Sequence, residues 1–176
     1  MMQLTWSGTS KQIEALRLAQ QRLTDLSPAT KVGAEIMKKL IDDSFRLQRD
    51  PWGGAWKSFS PNTLKARRKG RGKGSAKLLI DTGVLRNSIS AVGEPQAIVF
   101  GSIYEGRRNA NGAEVAGYGR AQQFGTAHIP ARPFLPVKDG RFEAPPGTPA
   151  GRALAKIRRV IVQYIIKGQS IPEAAE

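Results

Sequence analysis

Apolar positions recur at helical spacing in three stretches of this chain and alternate in shorter ones between them. The pattern predicts helices at both ends of a small sheet. Residues 10–25 place Ile13, Leu16, Ala19 and Leu23 near one face, and Thr9 followed by Gln12 is spaced as a capping box. Ser27-Pro28 predicts a restart, serine as N-cap and proline in the first turn. A stronger helix follows over about 28–48. Ala29, Val32, Gly33, Ile36, Met37, Leu40, Ile41, Ser44 and Leu47 share one side of it, with Glu35, Lys38, Lys39, Asp42, Arg46 and Arg49 opposite. It must stop before Asp50-Pro51, because proline pushes the residue before it out of the helical region. The last helix is predicted over about 149–167, with Leu154, Ile157, Val160, Ile161, Tyr164 and Ile165 on its apolar face. Leu154, Ile157, Ile161 and Tyr164 are expected to seat it on the sheet.

Between the helices the pattern shortens. Residues 50–60 read as a tight Trp-rich loop, and Ser60-Pro61 opens a short helix toward Arg68. The run Lys69-Gly70-Arg71-Gly72-Lys73-Gly74-Ser75-Ala76 has nothing to bury, so residues 65–77 are expected to be a mobile basic loop. Lys77–Ile80 is expected as a short strand. Strands follow at about 87–93, with Ile89, Ala91 and Gly93 on one face, and at 96–101, joined by a Glu94-Pro95 turn. Residues 105–118 read as a polar loop insertion, 119–124 as a short helix, 132–137 as a strand and 141–149 as a Pro/Gly linker. The fold class expected is α+β: a small antiparallel sheet packed by N-terminal helices and a long C-terminal helix. Residues 1–176 then form one domain, with 1–27 as a helical extension and 168–176 as a frayed end.

Composition narrows the chemistry. At 176 residues, 40% of them hydrophobic and 24% charged, the chain is long enough for one domain to bury roughly two thirds of its unfolded surface. It has no cysteine and one histidine, His128. That excludes disulfides, thiolate nucleophiles and His- or Cys-rich metal cages. No cofactor or small-molecule substrate is expected. No leader pattern or long apolar run is visible, so no membrane association is expected and synthesis is assigned to a cytoplasm. The net charge of +14 favours polyanions or acidic protein surfaces. It is concentrated: no acid lies between Asp50 and Asp81, where Lys57, Lys65, Arg67, Arg68, Lys69, Arg71, Lys73 and Lys77 supply eight bases. Glu143 to Glu173 is a second acid-free stretch.

Several motifs could carry chemistry, and each has a plainer reading beside it. Leu78-Leu79-Ile80-Asp81-Thr82-Gly83 has the hydrophobic-Asp-Thr-Gly form of an aspartic protease, in which two such carboxylates share a proton. The flanks here are helical and basic, so Asp81 is better read as capping the turn that holds Leu85 and Arg86, with Gly83 relieving strain. The basic loop could neutralise phosphates or simply be solvated; it lacks an aromatic for base stacking. Trp52 and Trp56 could close a local core or anchor a partner. His128 is read as a structural hydrogen-bonding residue. Arg132, held between Pro130 and Pro133, has a fixed direction that suits a bidentate carboxylate contact, within the fold or across a subunit boundary.

Taken in order, five motifs resemble the phage virion morphogenesis family, the tail-completion or neck proteins of tailed bacteriophages. They are the Asp-Pro-x-Gly-x-x-Trp turn (Asp50, Gly53, Trp56), Ser60-Pro61 with Thr63, Leu64 and the following Arg67-Arg68, and Asp81-Thr82-Gly83-x-Leu85-Arg86. The last two are Gln123-Phe124-Gly125, and Pro130 through Pro133, Phe134 and Leu135. The likeness covers about residues 10–166. The family commonly has histidine where Gln122 stands, and 105–118 is extra. The resemblance implies a non-enzymatic virion protein at the head–tail junction or proximal tail end. It would form a ring of six or twelve copies and contact head-completion or connector proteins on one side and tail terminator or tail tube proteins on the other, near the DNA. Lys65, Arg67, Arg68, Lys69, Arg71, Lys73, Lys77, Arg132, Arg107 and Arg108 are the expected contacts to neighbouring copies or rings.

Overall fold

A computed structural model describes residues 8–63, 77–80, 83–102 and 114–168. Along the chain the elements are α1 (Gly8–Thr24), α2 (Ser27–Leu47), α3 (Val84–Ser88), β1 (Ile89–Gly93), β2 (Ile98–Ser102), α4 (Val115–Phe124), β3 (Val137–Lys138), β4 (Arg141–Phe142) and α5 (Pro149–Lys167). The class is α+β, as expected, with two antiparallel hairpins, β1–β2 and β3–β4.

Helix α2 is the hub, packed against α5 on one side and the β1–β2 hairpin on the other. Its buried face is Ala29, Gly33, Ile36, Met37, Leu40, Ile41 and Ser44, extended by Thr30, Ala34 and Phe45. Phe45 is wholly buried, its ring 5.7 Å from Trp56 edge-on and 5.2 Å from Phe134. Leu47, expected inside, is exposed. The start of α2 differs from expectation. Ser27 is already its first residue, and the cap bond is made by Asp25, whose Oδ1 accepts the Ser27 N–H at 2.8 Å. Thr9 likewise lies inside α1, one residue past its start, rather than capping it.

The hairpin closes where predicted: Glu94 N–H donates to the Ala97 carbonyl at 2.8 Å, and Val92 pairs with Val99. It sits on the first turn of α2, where the Leu26 N–H donates to the Pro95 carbonyl and the Thr30 hydroxyl to that of Glu94. A Cβ on Gly93 would lie 2.4 Å from the Thr30 and Lys31 backbone, and one on Gly33 would lie 2.5 Å from Ile98 Cδ1. The two glycines let the helix and hairpin touch.

Four expected elements are corrected. Lys77–Ile80 is a turn, not a strand, with Leu79 at φ 59° so that its side chain enters the core. Residues 115–118 belong to α4, because Val115 and Gly119 turn inward on one helical face. Of the expected 132–137 strand only Val137 is ladder-paired, as the first residue of β3, since Pro133 and Pro136 have no N–H to give. The linker after residue 140 begins with the unforeseen strand β4. Helix α5 has the predicted bounds, started by Thr148, whose hydroxyl accepts the Gly151 N–H at 3.0 Å. It packs chiefly on α2, not on the sheet. Ala150, Ala153, Ile157 and Val160 are its buried positions, and the two alanines permit close approach. Burial of Ile157 and Val160 contributes about 1.5–3 kcal/mol each.

Candidate assembly surface

The tight turn after α2 is organised by one carboxylate. Asp50 Oδ1 accepts the Trp52 N–H at 2.9 Å and the Gly54 N–H at 2.8 Å, and Gly53 takes φ 102°. The turn then holds distant segments. Its buried Pro51 offers a carbonyl to the Ala150 N–H at 2.9 Å, at the start of α5. Trp52 Nε1 donates to the Glu143 carbonyl at 3.1 Å, and Trp56 Nε1 to the Pro133 carbonyl at 2.7 Å. Both tryptophans therefore take the local-core reading.

Gln123 and Arg132 complete a buried node beside Trp56. The Gln123 carboxamide accepts from Phe134 N–H and Leu135 N–H, each at 3.0 Å, and donates to the Leu135 and Val137 carbonyls at 3.0 and 2.9 Å. Its two donors and two acceptor positions are all used. Arg132 is 6% exposed. Its guanidinium donates to the carbonyls of Lys57 (2.8 Å) and Ser58 (3.0 Å) and to Gln122 Oε1 (3.2 Å), and it lies over the Phe59 ring. Burial holds the guanidinium below its usual pKa, partly offset by Tyr118. The carboxylate partner expected for Arg132 is replaced by these carbonyl-type acceptors, so its charge is spent inside the fold. Gln122 and Gln48 were not foreseen. Gln48, in the left-handed conformation at the end of α2, pairs its carboxamide with the Leu78 backbone and so pins the 77–80 turn. Polar side chains that bond to the backbone in this way leave no trace in a hydrophobic pattern.

The remaining motif residues divide between inside and outside. Ser60 caps the helical turn 61–63 that Pro61 begins, its Oγ accepting the Thr63 N–H at 3.2 Å. Gly83 precedes α3 at φ 75°, Leu85 is buried, and Arg86 reaches Asp42 at 3.5 Å. Gly125 ends α4 at φ 77°, close against Ala131, while Pro130 is half-buried. Phe134 is buried and Leu135 packs on the core, but Phe124 faces out. His128 is exposed, and its backbone N–H donates to the Thr126 hydroxyl at 3.2 Å. Asp81 and Thr82 lie outside the described residues, as do Lys65, Arg67, Arg68, Lys69, Arg71, Lys73, Arg107 and Arg108. Of the expected cationic contacts, the structure shows Lys77, exposed, and Arg132, buried.

Outward-facing apolar side chains cluster on a few elements. Val92 and Val99 form a cross-strand pair on the outer hairpin face. Helix α1 is fastened by its C-terminal end, where Arg22 Nη1 donates to the Ile165 and Ile166 carbonyls, both at 2.9 Å, and caps α5. Nearer its N-terminus, Ile13 and Leu16 are 66% and 71% exposed. Val162 and Ile166 of α5 are also exposed. No helix among the described residues is long and apolar enough to cross a membrane.

Searches of curated proteins and of solved structures return no match. The sequence model of the phage virion morphogenesis family matches residues 9–143, from the start of α1 through β4, and stops short of α5. That span takes in every segment of the buried node and the positions of all five motifs. The chain belongs to the phage virion morphogenesis family.

Proposed function

We propose that the protein is a structural component of the head–tail junction or proximal tail end of a tailed phage. It forms a ring that completes the tail, enables joining to the head and catalyses nothing. The observation that carries this reading is the exposed apolar face of α1. Its C-terminal end is locked to α5 through Arg22, while Ile13 and Leu16, earlier along the helix, project into solvent. A helix face of that kind supports a contact with a neighbouring copy, and a ring needs two different surfaces per subunit to meet. The node around Gln123 and Arg132 supports it too, by fixing the directions of the loops that would carry such surfaces.

Imaging particles from a phage lacking this protein tests the proposal. Separate filled heads and unjoined tails are expected; normally joined particles would refute it. Glutamate at positions 69, 71 and 73 (Lys69→Glu, Arg71→Glu, Lys73→Glu) is expected to block joining, and normal infectivity of that variant would remove the basic loop from the mechanism.

A nucleic-acid-binding role is favoured by one separate observation. Helix α5 carries exposed Arg152, Lys156, Arg158 and Arg159 and no acid. Under that reading a gel shift shows micromolar or tighter binding to duplex DNA that falls steeply with salt.

A further inference from the structure

Hairpin β1–β2 is a two-stranded sheet, so among the described residues β1 has a second edge that no strand covers. The ladder fixes which groups that edge presents. Glu94 and Ala97 exchange both of their backbone hydrogen bonds, at 2.8 and 3.4 Å, and the pairing alternates from there along the register. Ser90 and Val92 therefore turn their N–H and C=O groups toward β2, while Ala91 and Gly93 turn theirs away. Among the described residues neither Ala91 nor Gly93 gives those groups another partner. Both residues line an open groove of about 640 Å³ between β1 and the flank of α2. Strands β1 and β2 contain no proline and no charged residue. The edge thus lacks the usual devices that keep an exposed strand from pairing with another chain.

The charges beside the edge identify what it takes. Lys31, Lys38 and Lys39 in the groove wall are matched by Glu35, Asp42 and Asp43. Lys38 is paired with Asp42 at 2.8 Å and Asp43 with Arg46 at 2.7 Å. In a chain of net charge +14, two copies repel over most of their surfaces, but this wall is neutral. An acidic partner gains nothing here, whereas a second copy brings the same unpaired backbone groups and no net charge. We propose that two copies of this chain pair through β1 about a two-fold axis at Ala91, giving a four-stranded antiparallel sheet in the order β2–β1–β1–β2. Ala91 of each copy exchanges both backbone hydrogen bonds with Ala91 of the other, and Val92 lies opposite Ser90 of the other. The two Val92 side chains become diagonal neighbours, so the exposed Val92–Val99 pair continues across the joint. A two-fold contact closes on itself. It therefore goes beyond the ring reading and describes the free protein, whose bare edge it keeps from templating further chains.

Sedimentation of the full-length chain tests the contact, and a reversible dimer is expected. Val92→Lys should weaken it about ten-fold, by setting two ammonium groups on diagonal neighbours, and mixing that variant with Val92→Glu should restore it. Position 92 is exposed on the outer face, so both variants are expected to fold, which circular dichroism checks. Ala91→Pro removes an edge N–H without touching a β1–β2 ladder bond and should leave monomer. The register is read separately, because the chain has no cysteine of its own. When Ser90→Cys and Val92→Cys proteins are mixed and mildly oxidised, a disulfide joining one of each is expected over either homodimer. Residues opposed in a non-hydrogen-bonded pair have Cα atoms about 4.5 Å apart, within disulfide reach. A wild-type chain that stays monomeric, or an oligomer indifferent to Val92→Lys, overturns the proposal. Homodimer cross-links formed as readily as the mixed one would overturn the two-fold register at Ala91.

Discussion

Gln123 grips Leu135 at both ends of one residue, accepting its N–H and donating to its carbonyl, each at 3.0 Å. The side chain therefore does what a neighbouring strand would do for an extended segment. Pro133 and Pro136 flank that segment, so it could not complete a ladder on both sides. Helix α4 supplies the partner in the form of a single carboxamide.

Replacing Gln123 by alanine strands two buried N–H groups and two carbonyls near the core. A loss of about 2–4 kcal/mol is expected. Gln123→Glu is the sharper variant: it keeps the acceptors but turns a carboxylate toward the Leu135 and Val137 carbonyls. It should destabilise at least as much as alanine at neutral pH and recover in part on acidification, as the carboxyl regains a proton to donate. Urea unfolding monitored by tryptophan fluorescence reads this directly, because Trp56 borders the node.

Gly93→Ala should cost more than Gly33→Ala. The added methyl at 93 meets the backbone of Thr30 and Lys31, which cannot move without shifting the first turn of α2. The one at 33 meets the Ile98 Cδ1 methyl, the far end of a flexible side chain. Overpacking losses of about 1–3 kcal/mol are typical, and Gly93→Ala belongs at or above the upper end. Equal melting temperatures for the two variants would contradict this account of the helix–hairpin contact.

Arg132→Lys should destabilise the monomer rather than leave a folded protein that fails to assemble. A lysine ammonium cannot span the Lys57 and Ser58 carbonyls and Gln122 Oε1 as a planar fork does, so at least one of these is left without its donor. A loss of about 2 kcal/mol or more is expected, measured by thermal unfolding of the free protein. Were Arg132 mainly a subunit contact, the lysine variant would melt like the parent.

Much of this architecture was legible in the sequence, because apolar periodicity reports burial. The bounds of α5, the length of α2 and the Glu94-Pro95 turn follow from spacing, capping and proline chemistry acting locally. What escaped depends on partners far along the chain. Phe45 sits on the buried side of α2 because Trp56 and Phe134 come to meet it, and Leu47 stays exposed where α5 leaves a cleft. The segment 77–80 has a strand's composition, yet the Gln48 carboxamide and the left-handed Leu79 fold it into a turn. For the node, the motifs marked which residues matter but not how. Gln123 was visible only as part of Gln-Phe-Gly, and the structure turns the glutamine inward and the phenylalanine outward. For Arg132 the sequence suggests a carboxylate partner, whereas the guanidinium is held by carbonyl-type oxygens of Lys57, Ser58 and Gln122.

Asp25 gives a pH dependence with a definite sign. Hydrogen bonds from Ser27, first its hydroxyl and then its backbone N–H, hold the exposed carboxyl below its ordinary value of 3.8. A folded-state pKa below the unfolded one means that the carboxylate stabilises the fold above the unfolded value. The contribution fades as pH falls through the folded value. Asp25→Ala should therefore lower the melting temperature at neutral pH by loosening the start of α2, and the gap to the parent should narrow steadily below about pH 4. Asp25→Asn keeps an acceptor oxygen for the Ser27 N–H and should fall between the two at neutral pH. Other carboxylates titrate alike in all three proteins, so the difference isolates this residue. A gap that stayed constant down to pH values well below the ordinary carboxylate range would show that the charge of Asp25 does not hold this helix start.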